Sequence, residues 1–403
     1  MKRGIFLIVI ILAACKGGGS SNSSAWVLLG LSPSGTASSG NSTAPPSPLP
    51  EIFPAPEPPP TLPPTQPPVT PGQPSPPTVT ACTPSAELKI TDITFVDANL
   101  AACIKNTGLV YARDVTSLTC VNWVKSVAGV ECLSSLKKLD VSNNPITDLL
   151  PIAALTGLEE LRLGWMLADV DLALLAPLVH LKSLNVSHIS GFDRLPMENF
   201  PEMERFTAAY SSLTNTSAAR ICTMRKIKYL NLYNNQLSDV SFLADCPYLE
   251  ELDLTENLLI DAGQFGSLTS LKKLTLWGNQ IVTLQGISGA SSLEYLVLAY
   301  NRLTSVEGLG GLQKLSALEI SYNQIGSLDP LADLKNLESL GAGDNPFESL
   351  SPLGHLKKLK SLGLVSNYKL KLTTMPEIPS LKTLCIGATG RIDSIHKRIR
   401  AGS

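Results

Sequence analysis

The chain has 403 residues, of which 16% are charged and 30 are proline, and its formal net charge is −2 at pH 7. Globular proteins average about 25% charged residues and about 5% proline, so this composition excludes one ordinary compact domain. A near-neutral charge without a basic stripe also excludes a dedicated nucleic-acid-binding protein, and we expect no nucleic-acid partner.

The N-terminus has the pattern of an export signal. Lys2 and Arg3 precede ten uncharged residues, Ile5 to Ala14, which are too few to span a bilayer as a helix. The run ends in Leu-Ala-Ala-Cys15, which resembles the lipobox of bacterial lipoproteins. The resemblance implies that residues 1–14 are a signal peptide and that Cys15 carries a lipid such as palmitate. The alternative is a non-lipidated signal peptide with a chance cysteine.

The residue after this cysteine bears on localisation. Many proteobacterial lipoproteins that are retained at the inner membrane carry aspartate there, whereas this chain has Lys16. The resemblance therefore implies a lipid-anchored protein of the bacterial cell envelope, at the outer membrane or exposed on the surface.

Residues 15–81 are predicted to form a disordered Gly/Ser- and Pro-rich stalk. Between Pro45 and Pro77, 17 of 33 residues are proline, and such a segment buries too little apolar surface to fold. A Pro-rich chain extends by about 3.1 Å per residue, so the stalk would hold the following domain away from the membrane. The alternative is a ligand for a proline-binding module, since residues 60–63 fit P-x-x-P.

The rest of the chain repeats one frame, L-x-x-L-x-L-x-x-N-x-I/L. A clear copy is Leu271-Lys-Lys-Leu-Thr-Leu-Trp-Gly-Asn279-Gln-Ile281. The period is 22 residues in nine of eleven intervals, and a fixed period of this length indicates a solenoid of stacked repeats. The frames start at Leu136, Leu158, Leu181, Met203, Ile227, Leu249, Leu271, Leu293, Leu315, Leu337, Leu359 and Leu381.

The frame identifies leucine-rich repeats, and its positions are counted here from zero at the first leucine. Apolar residues at positions three and five alternate with polar ones, which predicts a short strand with one buried face. Stacked copies form a parallel sheet at about 4.8 Å spacing, and apolar residues every three positions beyond the asparagine predict a 3-10 or loop convex side. We therefore predict an α/β repeat solenoid, a right-handed leucine-rich repeat horseshoe with a concave parallel sheet.

Asparagine at position eight is expected to satisfy backbone groups where the chain turns inward. The residues are Asn144, Asn235, Asn257, Asn279, Asn301, Asn323, Asn345 and Asn367. Three repeats lack it and carry Met166, Ile189 and Ser211 instead. We expect the arc to be distorted there, either as a divergent structural stretch or as a bend that shapes a binding surface.

Residues 82–135 are predicted to be an N-terminal cap with a first short repeat, and residues 136–403 to hold about twelve repeats and a C-terminal tail. The segment from Ile93 to Ile104, followed by Val115-Thr-Ser-Leu-Thr-Cys120 and the 22-residue repeats, resembles internalin-like bacterial leucine-rich repeat proteins. The resemblance covers about three quarters of the chain and implies an extracellular protein that binds its partner with concave side chains. Two departures are a lipobox in place of a C-terminal sorting motif and no Ig-like domain after the repeats.

Export makes disulfides permissible. Cys222 and Cys246 both fall nineteen residues after their frame starts, so adjacent turns would place them about 5 Å apart, within bridging range. The alternative is two stacked buried thiols. Cys103 and Cys120 are candidates for a second bridge.

That bridge would leave Cys82 and Cys132 as partners by elimination, although four cysteines allow three connectivities. With Cys15 reserved for a lipid, seven cysteines remain, so at least one thiol is free or pairs with another chain. Cys385 is expected to be that thiol, and one that could form a dimer.

Concave positions two, four and six, together with position seven, change in composition along the arc. From the repeat at Ile227 to that at Leu315 they are rich in aromatic and acidic residues, and after Leu337 they become Ser and Gly. Exposed Tyr and Trp on a rigid sheet dominate interface energetics, although Tyr also suits strand surfaces generally. The predicted ligand-binding residues are Tyr229, Tyr233, Glu251, Asp253, Lys273, Trp277, Tyr295, Tyr300, Glu319 and Tyr322.

No residue pattern indicates catalysis. The four histidines are scattered, no spacing fits a zinc site, and no phosphate-binding glycine motif is present, so we expect no enzyme, no metal and no cofactor. The sequence predicts a membrane-anchored, monomeric protein that binds a host or envelope protein through its concave face. The alternative is a structural or self-assembling cell-envelope protein.

Overall fold

The computed structural model describes residues 82, 87–121, 123–166, 169–371, 373 and 375–386. The predicted signal peptide, Cys15, the whole stalk and residues 387–403 of the C-terminal tail lie outside the described residues.

The described residues form one unclosed sheet of thirteen parallel strands, in which each strand pairs with the next along the chain. The strands are β1 Ser117–Thr119, β2 Lys138–Asp140, β3 Glu160–Arg162, β4 Ser183–Asn185, β5 Arg205–Thr207, β6 Tyr229–Asn231, β7 Glu251–Asp253, β8 Lys273–Thr275, β9 Tyr295–Val297, β10 Ala317–Glu319, β11 Ser339–Gly341, β12 Ser361–Gly363 and β13 Thr383–Cys385.

Each of the strands β2 to β13 covers frame positions two to four. The apolar residue at position three points into the core and pairs with its equivalent in the next strand, as Leu274 does with Leu296. A shift by one residue would expose every such leucine, so burial of one face fixes the register. The predicted leucine-rich repeat solenoid with a parallel sheet is confirmed.

The convex side consists of short helical turns. The α-helices are α1 Ala98–Lys105, α2 Leu150–Ala153 and α3 Asn215–Ala218. The 3-10 helices are Ile90–Asp92, Ala112–Asp114, Val130–Cys132, Leu172–Leu175, Phe192–Arg194, Met197–Asn199, Ile221–Thr223, Ser241–Asp245, Gly263–Ser267, Ile287–Gly289, Leu309–Gly311, Asp329–Asp333 and Ser351–His355. Helix α1 covers the N-terminal end of the core with Leu100 and Ile104, which are fully buried.

Asp97 joins this helix to the first repeat. Its carboxylate accepts hydrogen bonds from the backbone N–H groups of Asn99 and Leu100, which caps helix α1. The other carboxylate oxygen accepts from Lys125 N at 2.8 Å, in the turn after β1. These backbone hydrogen bonds hold the pKa of Asp97 below its usual value, although burial opposes them.

The position-eight asparagines form a buried hydrogen-bonded ladder. Asn301 Nδ2 donates to Leu276 O in the preceding repeat at 2.9 Å and to Leu298 O in its own repeat at 3.0 Å. Its Oδ1 accepts from Ile281 N at 2.9 Å. One side chain thereby satisfies backbone groups of two turns that water does not reach.

The three repeats without this asparagine keep the sheet pairing, since β3, β4, β5 and β6 continue in register. Met166 and Ile189 are buried at position eight, and Ser211 Oγ donates to Val186 O at 3.3 Å. The longest of these repeats starts at Met203, and helix α3 lies on its convex side.

Three disulfides join the pairs that the sequence favoured. They are Cys82–Cys132, Cys103–Cys120 and Cys222–Cys246, with Cα–Cα distances of 5.3, 5.8 and 5.1 Å. Cys385 is disulfide-bonded as well, so the expectation of an unpaired thiol there is wrong. That expectation rested on an odd cysteine count, which does not identify the partner of any individual thiol.

Candidate ligand-binding face

The predicted ligand-binding residues lie on the concave sheet and its edge, but they differ in exposure. Tyr300 and Tyr322 are each 44% exposed, and Lys273 is exposed. Tyr233 is buried, with 4% exposure, so this residue does not have the exposure that was expected. The half-buried residues are Tyr229, Glu251, Asp253, Trp277, Tyr295 and Glu319.

Position seven, just beyond the strand, has a left-handed backbone in each of the eleven repeats from Leu136 to Leu359. The residues at this position, called the turn row below, have φ between 49° and 67°. They are Asn143, Trp165, His188, Tyr210, Asn234, Glu256, Gly278, Tyr300, Tyr322, Asp344 and Ser366. In the ten residues from Asn143 to Asp344, the N–H group donates to the position-six carbonyl of the next repeat, so the turn itself imposes this conformation.

Left-handed backbone suits Gly, Asn and Asp, whereas a bulky residue adopts it at a cost of about 1–2 kcal/mol. Four members of the turn row are of the favoured types. Five other members of the turn row place aromatic rings at this left-handed position, and they are Trp165, His188, Tyr210, Tyr300 and Tyr322.

Trp277, Tyr300 and Tyr322 form a C-terminal aromatic cluster. The Trp277 and Tyr300 ring centroids are 4.9 Å apart with a tilt of 53°, and those of Tyr300 and Tyr322 are 4.1 Å apart with planes inclined by 15°. The neighbouring Tyr300 hydroxyl, followed by desolvation and the Asp344 carboxylate, raises the pKa of the Tyr322 phenol. The cluster is a rigid, partly exposed ring surface along one edge of the concave sheet.

A second, N-terminal aromatic cluster consists of Trp165, His188, Tyr210 and Tyr233. Trp165 stacks on His188 with ring centroids 4.4 Å apart, and Tyr210 meets Tyr233 edge to face at 4.8 Å. Sequence reasoning missed the first three residues because their repeats lack the position-eight asparagine. The signal was nevertheless available, since each residue falls seven positions after its frame start.

Hydrogen bonds connect the N-terminal aromatic cluster to the middle of the turn row. Tyr210 Oη donates to Tyr233 Oη at 2.9 Å, and Tyr233 Oη donates to Glu256 Oε2 at 3.1 Å. Asn234 Nδ2 donates to the same carboxylate oxygen at 2.5 Å. Desolvation, followed by the bond to Tyr210, raises the pKa of Tyr233, so its hydroxyl keeps its proton as a donor.

Two carboxylates at position four lie on the concave face and also accept a hydrogen bond from the backbone of their own repeat. Asp253 Oδ1 accepts from Thr255 N at 3.0 Å, and Glu319 Oε1 accepts from Ser321 N at 2.9 Å. Burial raises the pKa of both carboxyls, against the lowering effect of these hydrogen bonds. Tyr295 lies between them along the sheet, and desolvation raises its pKa, helped by both negative charges.

Beyond β10 the concave surface has almost no side chains. Its small residues, called the bare floor below, are Ser339, Gly341, Ser361 and Gly363. The carboxylate of Glu319 leans over Gly341 so closely that a Cβ atom there would collide with it. Gly341 thus makes room for Glu319 at the border of the bare floor.

The opposite edge of the sheet, at position one, alternates in charge. Glu159 pairs with Lys137 at 3.6 Å and with Lys182 at 2.8 Å, and Glu250 pairs with Lys272 at 2.6 Å. The hydrogen bond and charge of Lys182 lower the pKa of Glu159, and Lys272 does the same for Glu250. At this edge, opposite charges in neighbouring repeats therefore neutralise one another, which does not happen along the turn row.

Within the part of the chain that the structure describes, no group of three or more His, Cys, Asp or Glu side chains is arranged to hold a metal ion. Over the same residues, no helix combines the length and apolar character needed to cross a membrane.

Sequence-family comparison agrees with the repeat architecture. Models described as leucine rich repeat match residues 247–303 and 269–325, a two-copy model matches residues 225–265, and a single-copy model matches residues 135–155. No curated protein sequence is significantly similar to this chain.

Several solved structures are similar. An internalin (inlF) from Listeria monocytogenes is 28% identical, with 75% of this chain and 92% of that chain covered and a TM-score of 0.67. The functional domain of InlJ from the same organism is 20% identical, with 75% and 72% covered and a TM-score of 0.56. The Toll–Spatzle complex from Drosophila is 17% identical, with 62% and 38% covered and a TM-score of 0.51. The described fold is thus that of the internalin leucine-rich repeat solenoids, a fold that typically serves protein interaction.

Proposed function

We propose that this chain is a lipid-anchored leucine-rich repeat protein of the bacterial cell envelope that binds a protein ligand through its concave face and turn row. The observation that carries the binding proposal is the placement of aromatic rings at left-handed positions of the turn row. Elsewhere the same row has Gly278, Asn143, Asn234 and Asp344, which suit that backbone.

Repeats that differ at position seven show which of its residues the fold requires. The repeats with Gly or Asn at position seven pair their strands as regularly as those with Tyr or Trp, so the rings are not required by the sheet. Residues kept in an unfavourable backbone region cluster at functional sites. Tyr and Trp also bury large areas at interfaces at a low cost in conformational entropy.

The anchoring part of the proposal rests on the sequence. Cys15 would carry the lipid after removal of residues 1–14, and the Pro-rich stalk to residue 81 would hold the repeat domain away from the membrane. The cap would occupy residues 82–135, and residues 136–403 would contain the repeats. The similarity to Listeria internalins supports an extracellular or surface location.

A photo-crosslinking experiment on cells tests the binding face. A crosslinking amino acid replaces Lys273, which is exposed on the concave sheet, or Tyr248, which is 59% exposed and outside the turn row. We expect protein adducts from position 273 only, and we expect their loss when Tyr300→Asn and Tyr322→Asn are added. Asn is chosen because it suits the left-handed backbone.

Three results would contradict the proposal. These are equal adducts from both positions, adducts that the double substitution leaves unchanged, and adducts consisting only of a second copy of the chain. The last result would support a self-assembling envelope protein instead. The matched control is Tyr248→Asn, which removes an exposed tyrosine without touching the turn row and should leave the adducts from position 273 unchanged.

A further inference from the structure

We propose that residues 391–400 form an amphipathic helix that covers the C-terminal end of the solenoid, against the half-buried leucines of β13. These residues lie outside the described part of the chain. Such a cap is independent of the ligand-binding proposal, and it decides whether solenoids can join end to end.

The hydrophobic core is incompletely buried at the last repeat. Leu381 and Leu384, at positions zero and three, are half-buried, and Ile386 at position five is half-buried as well. One repeat earlier, Leu359 and Leu362 at the same positions zero and three are fully buried. The described residues therefore leave an apolar face at this end, where a further turn of the solenoid would otherwise pack.

The same end has an unpaired strand edge. Strand β13 pairs with β12, and no described strand lies on its other side. An exposed strand edge is a template for pairing with another chain, so natural proteins usually cover it. Solenoids also need terminal caps with a polar outer face to stay soluble.

The N-terminal end shows how this chain covers its core. Helix α1 has eight residues and buries Leu100 and Ile104, which are four positions apart. The helix is joined to the end of β1 by the Cys103–Cys120 disulfide, and Leu118 in that strand is only 3% exposed. An amphipathic helix of this size is thus sufficient to bury a terminal turn of this solenoid.

The sequence after β13 has the pattern of a second helix of this kind. Ile392, Ile395 and Ile399 recur at spacings of three and four, so a helix would place them on one face. Asp393 would lie in the first turn, where a negative charge complements the helix dipole. The last turn would be basic, which also complements the dipole, and it contains Lys397, Arg398 and Arg400.

The segment is also close enough and long enough to reach the exposed face. Only residues 387–390 separate β13 and Ile386 from the proposed helix, and a connection of about 2–6 residues is common between neighbouring elements. A helix of ten residues is about 15 Å long, and the strand segment from Leu381 to Ile386 extends about 20 Å. The helix would therefore span most of the apolar face.

Photo-crosslinking of the purified full chain tests what covers this end. A crosslinking amino acid replaces Ile395, on the apolar face of the proposed helix, or Ser394, on the opposite face. We expect position 395 to form a link to residues 378–386 of the same chain, and position 394 to form none there. Mass spectrometry of a mixture of isotopically light and heavy chains separates links within one chain from links between two copies.

Two kinds of result would overturn the cap. Links from position 395 to residues 378–386 of a second copy would show that the end is covered by another solenoid. Absence of a link from position 395 to this segment, or equal links from positions 394 and 395, would show that the tail does not pack there by its isoleucines.

Hydrogen exchange measures what the cap does for the last repeats. Each repeat of a solenoid contacts only its neighbours, so loss of a cap acts locally. We expect Ile395→Asp with Ile399→Asp to raise the exchange rates of amides in β12 and β13 by about tenfold or more, and to leave those in β6 and β7 unchanged.

The matched control is Ser394→Asp with Ala401→Asp, which adds the same charge to the opposite face of the helix and should leave exchange in all four strands unchanged. Unchanged exchange in β12 and β13 of the isoleucine variant, or an equal rise in the control, would overturn the proposal.

Discussion

Tyr300 and Tyr322 stack across two adjacent repeats with ring centroids 4.1 Å apart, and both have a left-handed backbone with φ of 56°. The contact between the rings and the strain in the backbone therefore belong to the same two residues. Substitutions that change one effect without the other can separate them.

The first prediction concerns Tyr322→Asn and Tyr322→Ala. Both variants lose a stacked pair worth about 0.5–1.5 kcal/mol, but only Asn also relieves a left-handed penalty of about 1–2 kcal/mol. We expect the free energy of unfolding of Tyr322→Asn to lie within about 1 kcal/mol of that of the natural protein. That of Tyr322→Ala should be about 1 kcal/mol lower than that of Tyr322→Asn. Urea denaturation followed by circular dichroism measures both, and a more stable Ala variant would show that backbone strain at position 322 is unimportant.

The second prediction concerns the dependence of stability on pH at Glu319. Burial raises the pKa of this carboxyl in the folded state, so the folded state binds the proton more tightly than the unfolded state does. Its contribution to stability is therefore greatest below the unfolded pKa and is lost as the pH rises through the folded pKa.

Glu319→Gln removes this loss of stability. The glutamine side-chain carbonyl still accepts a hydrogen bond from Ser321 N, and it has no charge to desolvate. We expect the variant to be more stable than the natural protein by about 1 kcal/mol at pH 7, the scale of a typical single substitution, with the difference disappearing toward pH 4. Thermal unfolding across this pH range is the measurement. Glu338→Gln, at a carboxylate paired with Lys360, should show no such gain, and a destabilised Glu319→Gln at pH 7 would contradict the argument.

The frame predicted the strands and the buried leucines because a period of 22 residues and a burial alternation are both local in the sequence. It did not predict the burial of Tyr233, since that depends on Tyr210 and Glu256, each 23 residues away. Nor did it predict the turn row, because the left-handed φ at His188 arises from a hydrogen bond to Ala209 O in the next repeat. Both features depend on contacts between repeats, which a frame read along the sequence does not contain.

The third prediction tests the asparagine ladder with Asn301→Ala. The substitution leaves Ile281 N and the carbonyls of Leu276 and Leu298 without their partner in a buried region. Each buried polar group left unsatisfied costs about 1–3 kcal/mol, so we expect a loss of about 2–4 kcal/mol in the free energy of unfolding. Chemical denaturation measures the loss. Asn336→Ala removes a bond near the surface to Gln313 O and should cost less than about 1 kcal/mol; an equal cost at both sites would contradict a special role for the ladder.

The fourth prediction concerns the disulfide between Cys222 and Cys246, which are 5% and 2% exposed and 24 residues apart. Cross-linking a loop of this length is expected to stabilise the folded state by about 3–4 kcal/mol through the entropy of the unfolded chain. We expect the double variant Cys222→Ala with Cys246→Ala to lose about that amount in guanidinium denaturation. An unchanged free energy of unfolding in the double variant would contradict a stabilising role for this bridge.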